Sequence, residues 1–146
     1  MSDIGKWNSI EAEIIAALAG LSGVNTILPS MSMDQLANAD GVRKPCVGVI
    51  YLGTEYGQQY AVGQRKFYAT SHWRIGVVLT NLRGSIAGRP AVYTILEEIR
   101  DKIHFKFTTQ SPKEAYIFDS ESVPEQSPDG LAVGFVDFKL GLILGT

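Results

Sequence analysis

The sequence predicts an α+β fold, a largely antiparallel mixed β-sheet with two main helices packed on one face. Two stretches carry apolar residues at helical spacing, and several others show the apolar runs or the period-2 alternation of strands. Their order is helix, two or three strands, helix, two strands, and helices on one face of such a sheet would bury every apolar stripe. With 146 residues, 45% of them hydrophobic, the chain is expected to form a single domain over residues 1–146.

The first helix is predicted at Ser9–Leu21. Asn8 is a suitable N-cap, and Glu11 three residues later completes a capping box. Gly20 and Gly23 can adopt the left-handed conformation that ends a helix. The residues expected to face the core are Ile10, Ile14, Ala17, Leu18 and Leu21.

Two strands are predicted before the middle of the chain. Val24–Leu28 is a short strand before Pro29, and Pro45–Gly53 is a nearly continuous apolar run, typical of a central strand. The polar stretch between them, 30–44, is expected to be irregular, with one helical turn near Met33–Ala37.

A glycine-punctuated stretch with two tyrosines, Thr54–Gln64, is interpreted as a long hairpin loop or a projecting hairpin. Lys66–Thr80 follows as one long strand with period-2 alternation. Because strands usually have about five or six residues, this strand is expected to extend beyond the core. One of its faces holds Phe67, Ala69, Ser71, Trp73, Ile75 and Val77.

The second half of the chain predicts a loop at 81–89, a helix from Pro90 to about His104, and two final strands, Glu114–Phe118 and Leu131–Leu144. The apolar residues of the last strand change parity midway, which predicts a β-bulge or bend near Phe135 and Val136. The stretch before that strand, Asp119–Gly130, is predicted to be an acidic loop. The stripe of the helix is Val92, Ile95, Leu96, Ile99 and Ile103.

Composition argues against several classes of partner. The net charge is −2 and the pI is about 5.6, so there is no electrostatic case for a nucleic acid or an anionic membrane. No apolar stretch approaches the ~20 residues of a membrane-spanning helix. The first residues do not resemble a signal peptide, and we therefore expect synthesis and first use in the cytoplasm.

The residues that could carry catalysis do not form a recognisable constellation, and the chain is predicted not to be an enzyme and to need no cofactor or metal. The single cysteine, Cys46, lies in an apolar run and is interpreted as a small buried hydrophobe. A nucleophilic pair with His72 on an adjacent strand is the enzymatic alternative. His104 is explained by its position at a helix C-terminus.

Basic and aromatic residues interleave from Arg65 to Arg74, as in a strand that binds single-stranded nucleic acid. A nucleic-acid-binding module is therefore a second alternative. The negative net charge favours a core or pairing strand instead.

Several segments resemble the Mu-like phage tail protein family. The match includes the helix that begins near Ile10 and the entry to the last strand at Asp129-Gly130-Leu131, so it covers most of the chain. Its clearest parts are Lys44–Gly53 ending at Tyr56, Asn81-Leu82-Arg83-Gly84, Gly88, and Tyr93–Arg100.

Members of that family are regarded as tail terminators or close relatives. The resemblance implies an α+β subunit, similar in fold to siphophage tail terminators, that closes into a homo-oligomeric ring, usually a hexamer. Such a ring sits on the tail tube protein, stops polymerisation and offers a surface to the head–tail connector protein. The expected location is the host bacterial cytoplasm during assembly, then the virion or tail-like particle. A baseplate or connector component of the same particle is the alternative within this class.

A ring needs a heterologous interface, in which one patch meets a different patch of the next copy. We expect Tyr56 and Tyr60, on the hairpin stretch, to contact a neighbouring copy or the tube, and we place Arg65 in the same interface. Arg83 and Arg89 either pair with acidic groups of the next subunit or cap local carbonyl groups. The acidic loop faces either the lumen of the ring or its outer surface, and these alternatives stay open.

Overall fold

The fold is an α+β arrangement, as predicted, in a computed structural model that describes residues 6–21, 24, 26–29, 46–59, 65, 67–80, 85–104, 116–122 and 131–144. The expected turn at Met33–Ala37 and residues 123–130 of the acidic loop lie outside the described residues. The elements are α1 (Lys6–Ala17), β1 (Thr26–Pro29), β2 (Cys46–Gln59), β3 (Phe67–Thr80), α2 (Ser85–Ile103), β4 (Tyr116–Ser122) and β5 (Leu131–Leu144).

The five strands form one mixed sheet in the order β1-β2-β3-β5-β4. β2, β3, β5 and β4 are antiparallel to their neighbours, and only β1 joins in parallel, beside the first four residues of β2. β3 is the central strand and pairs with β5 along its whole length, from Phe67–Leu144 to Thr80–Leu131. Both strands have 14 residues, which explains the long alternation seen in the sequence.

Both helices share one core with one face of the sheet. The predicted apolar residues of both helices are buried except Ala17, which is partly buried. Leu18 and Leu21 follow the end of α1, so the predicted helix end at Leu21 was wrong. The predicted face of β3 is also buried, from Ala69 to Val77. Because side chains alternate along a strand, these residues define the helix-covered face. Its other members are Val47 and Val49 of β2, Tyr116 of β4, and Val136, Phe138, Leu140 and Leu142 of β5.

Helix α1 begins at Lys6, so the prediction that Asn8 and Glu11 form a capping box was wrong. The ring of Trp7 stacks on Tyr51 with centroids 5.4 Å apart, and this contact gives the additional turn a partner in the sheet. At the other end Gly20 has φ 86°, the left-handed conformation that the sequence predicted there.

Helix α2 begins at Ser85, and the prediction of a loop for residues 85–89 was therefore wrong. Pro90 was taken as the start of the helix because proline suits a first turn. In the structure it lies in the second turn, where its missing N–H removes one intrahelical hydrogen bond.

The predicted bulge in β5 was also wrong, since its register with β3 is continuous. The parity change has another cause: Val133 is buried on the face opposite the helices, in a row with Val78 and Cys46. Apolar residues of both parities are therefore buried in this strand. The register shift lies instead in β4, between Phe118 and Ser120, and this strand includes 119–122, which were expected in the acidic loop.

Candidate interaction surface

The β2–β3 hairpin carries most of the exposed large apolar side chains of the described chain. Four of the five, Tyr51, Leu52, Tyr56 and Tyr68, lie on these two strands, and they are called the hairpin patch below. Tyr56 is 69% exposed and Tyr68 is 47% exposed. The fifth, Tyr93, lies on α2. Scattered exposed apolar residues are normal, but a group on one element indicates a contact surface.

A β-bulge at Leu52 sets the direction of the patch. Tyr51 lies opposite Trp73, but Gly53 rather than Leu52 lies opposite His72, so Leu52 is the additional residue. Gly53 has φ 127°, a backbone conformation that residues other than glycine rarely adopt. Because the bulge changes the parity of β2, Tyr56 lies opposite Ala69, on the helix-covered side like Tyr51.

The base of the patch is held by aromatic and hydrogen-bonded contacts. Tyr51 lies between Trp7 and Trp73, with ring centroids 5.4 and 5.0 Å away, and its hydroxyl group bonds that of Thr54. Trp73 Nε1 donates to Ser71 Oγ at 3.0 Å, and Ser71 Oγ donates to the Leu140 carbonyl at 3.2 Å. These buried polar atoms are therefore satisfied, and the patch rests on a well-defined support.

The opposite face of the sheet carries a bidentate ion pair. Arg74 Nε and Nη2 donate to the two carboxylate oxygens of Asp137 at 2.7 and 2.9 Å. The Arg74 guanidinium also lies 4.2 Å from the centroid of the Phe135 ring. The hydrogen bonds to Asp137 raise the pKa of Arg74, partial burial opposes this, and the attraction of the carboxylate adds to it. Arg74 is therefore paired with a carboxylate of its own chain.

A groove of about 410 Å³ lies beside this pair. Its acidic side chains come from three strands: Glu55 of β2, Asp119 of β4 and Asp137 of β5. His72 also lines it, with Nε2 3.4 Å from Glu55 Oε1. That contact lacks the alignment of a hydrogen bond, because the buried Nε2 atom has no hydrogen-bond partner among the described residues. The remaining described lining residues are Leu52, Gly53, Thr54 and Phe138.

The residues predicted for the interface are only partly described. Tyr56 and Arg65 are exposed, at the outer end of β2 and just before β3. Arg89 lies near the start of α2, and Tyr60 and Arg83 lie outside the described residues. Sequence reasoning missed Tyr51 and Leu52 because they end an apolar run that was interpreted as a buried strand. Gly53 directly after them was the available sign of a bulge.

The structure does not bring Cys46 and His72 together as a nucleophilic pair. Cys46 of β2 lies opposite Val78 of β3. His72 is also on β3, but six residues from Val78, which is about 20 Å at the usual rise of a strand. No group of three or more His, Cys, Asp or Glu residues in the described chain could hold a metal ion. No helix among these residues is long and apolar enough to cross a membrane.

Two of the side chains of β3 that were considered for nucleic-acid binding have partners inside the protein. Trp73 is buried in the core and Arg74 is paired with Asp137. Among the described residues of this stretch, Tyr68 and Arg65 are exposed. A stacking platform needs several exposed rings along a basic groove.

No protein-family model and no curated protein matches the chain at a significant level. Function is therefore inferred from the chain's own residues, and the hairpin patch is the surface with the clearest physical meaning.

Proposed function

We propose that the chain is a non-enzymatic structural subunit that assembles into a homo-oligomeric ring, a hexamer by resemblance, on the end of a phage or phage-like tail tube. The ring stops polymerisation of the tube and offers a joining surface to the head–tail connector. The observation that carries the proposal is the hairpin patch. The resemblance of Lys44–Gly53 and Tyr93–Arg100 to the Mu-like tail protein family supplies the tube and the connector as partners.

The patch has the composition of an interface core. Tyrosine is enriched at protein interfaces because it adds a large contact area at a low cost in side-chain entropy and keeps one polar atom. Tyr51 and Tyr56 lie on one side of the sheet and Tyr68 on the other, so the hairpin presents apolar surface on both sides. An element of that kind is suited to insertion between neighbouring subunits of a ring.

The proposal is tested by the mass of the protein in solution. We expect light scattering and native mass spectrometry to give a closed oligomer, and negative stain to show a ring. Tyr56→Ser and Tyr68→Ser should each raise the dissociation constant about tenfold or more, since interface aromatic residues commonly contribute about 2 kcal/mol. Tyr93→Ser is the matched control, because Tyr93 is 47% exposed, like Tyr68, but lies on α2.

Two results would count against the proposal. Equal weakening by Tyr93→Ser would show that the patch is not the interface. If the chain stays monomeric, purified tail tubes serve as the template. Tubes that neither bind the chain nor stop growing would remove the terminator function.

A further inference from the structure

The outer half of the hairpin has a second surface, on the face away from the helices. The register of the strands places three neighbouring pairs on this face: Gly53 with His72, Glu55 with Thr70, and Arg74 with Asp137. No described helix packs there, since the buried residues of α1 and α2 share their core with the other face. The acidic groove crosses this surface from β2 to β4.

The charge of the groove is not balanced from within the described chain. Of the three carboxylates among its described lining residues, only Asp137 has an arginine partner within the described part of the chain, Arg74. Glu55 is 82% exposed and contacts only His72 among the ion pairs of the described residues, and Asp119 is exposed at the bulge of β4. Lys139 lies opposite His72 on the same face but does not line the groove and is exposed. The groove therefore suits an additional cationic side chain that can bond carboxylates.

The same hairpin carries a cation at its end. Arg65 is exposed, and it lies beyond the last described pair of the hairpin, Gln59 with Phe67. Arg65 does not line the groove, and it lies five residues from Thr70, the partner of Glu55, a separation of at most about 17 Å along the chain. The cationic end and the acidic groove are thus separate surfaces of one molecule. Complementary but different surfaces on one chain are what a heterologous contact between identical copies requires.

We propose that the occupant of the groove is a second copy of this chain, whose Arg65 guanidinium docks between Glu55 and Asp119. The inference rests on the proposed self-assembly and names the contact that sets its direction. Arg65 is suited to this role because the guanidinium presents several donors to carboxylate oxygens at once. Tyr68 of the hairpin patch lies on the same face as the groove, so the same contact brings the next copy against it, whereas Tyr56 lies on the other side of the hairpin.

Charge reversal tests the contact directly. Arg65→Glu and Glu55→Arg should each raise the dissociation constant of self-association about tenfold or more, because each places like charges together. The double variant with both changes should recover affinity to within about threefold of the original, since the pair is re-formed in reverse. Arg100→Glu and Glu97→Arg are matched controls, because both residues are exposed on α2.

A disulfide cross-link tests whether Arg65 of one copy lies beside Asp119 of another. Chains with Arg65→Cys are mixed with chains with Asp119→Cys under oxidising conditions, on tail tubes if the free chain stays monomeric. We expect a cross-linked dimer that forms faster in the mixture than in either variant alone, while the buried Cys46 stays unreactive.

The outcomes separate this inference from the proposed function. Self-association that is lost in Tyr56→Ser but unchanged in Arg65→Glu, with no cross-link above the single variants, would overturn the docking of Arg65 and leave the ring intact. Absence of association both in solution and on tubes would remove both. The contact would be established if the double variant recovered its affinity and the mixture of the two cysteine variants formed the cross-linked dimer.

Discussion

The Arg74–Asp137 pair joins β3 and β5 near the centre of both strands. Asp137 is only 19% exposed, and both of its oxygens accept from Arg74. A partly buried carboxylate without such a partner would be costly, because it would lose hydration without gaining hydrogen bonds. The Phe135 ring beside the guanidinium removes water from the other side of the contact.

At the residue scale we predict that Arg74→Leu lowers the free energy of unfolding by about 2 kcal/mol, the usual loss for hydrogen bonds to a charged group. Arg74→Lys keeps the positive charge but not the two parallel hydrogen bonds of the guanidinium, and it should lower the free energy of unfolding by about half as much. Arg100→Leu should change stability by less than about 0.5 kcal/mol, since Arg100 lies 3.9 Å from an exposed Asp101. Urea denaturation measures all three, and equal losses at both arginines would contradict the role of the pair.

Single residues were predictable from the sequence when their position depended on local alternation. The pattern of β3 placed Ser71 and Trp73 on the same face, and both are buried on that face. The partners were not predictable, because Leu140 and Asp137 lie more than 60 residues from Ser71 and Arg74. Which residues meet across two strands depends on register, and two strands of 14 residues allow many registers.

At the scale of elements, the bulge in β2 decides on which face of the sheet Tyr56 lies. Without the additional residue at Leu52, Tyr56 would lie on the other face of the sheet. The bulge depends on the backbone of Gly53, at φ 127°. A Cβ atom there would meet no atom of the described residues within 4 Å, so the cost of a substitution is in the backbone and not in packing.

We therefore predict that Gly53→Ala lowers the free energy of unfolding by about 1–3 kcal/mol, the range for a strained backbone conformation. It should also weaken self-association, because the outer half of β2 must adjust its direction. Glu121→Ala, at an exposed position of β4 that does not line the groove, should change stability by less than about 0.5 kcal/mol. Thermal unfolding and light scattering measure the two effects, and an unchanged midpoint for Gly53→Ala would show that the bulge is not strained.

The helices show which part of an element the sequence specifies. Both apolar stripes were predicted correctly because they repeat at helical spacing, and both are buried. Both starts were wrong, at Lys6 and Ser85. Capping and proline patterns describe an isolated helix end, whereas Trp7 stacks on a residue 44 positions away in the sequence and extends α1. The tertiary contact outweighs the local signal there.

At the scale of the whole molecule, α1 and α2 share one core with the sheet, and unfolding should be cooperative. Ile14 of α1 is fully buried in that core. We predict that Ile14→Ala lowers the free energy of unfolding by about 2–5 kcal/mol, a large part of the ~5–15 kcal/mol typical of a domain. Far-UV and near-UV circular dichroism should shift together, because Trp73 lies in the same core.

Ala12→Ser, on the exposed side of α1, is the control for that experiment and should shift the midpoint little. Separate transitions for the two signals in Ile14→Ala would mean that the helix and the sheet unfold independently. That result would contradict the single core.

The order of elements and the helix-covered face were predictable because each apolar stripe needs a partner. The burial of the second face around Cys46, Val78 and Val133 was not, and it led to the wrong bulge in β5. A strand that buries side chains on both faces shows no clean alternation, so its parity cannot be inferred from the sequence alone. The candidate surface was predictable only at Tyr56, since Tyr51 ends an apolar run that was interpreted as a buried strand and Tyr68 lies in a long strand without a sign of which face is covered.

The burial of Cys46 gives the protein a built-in chemical reporter. Its thiol lies where β1 and β3 flank the first residue of β2, and it is the only sulfhydryl group in the chain. A thiol reagent can reach it only after this part of the sheet opens, so the labelling rate measures the frequency of that opening. Assembly that tightens the sheet would slow the reaction, and the degree of slowing would report subunit association without any added label.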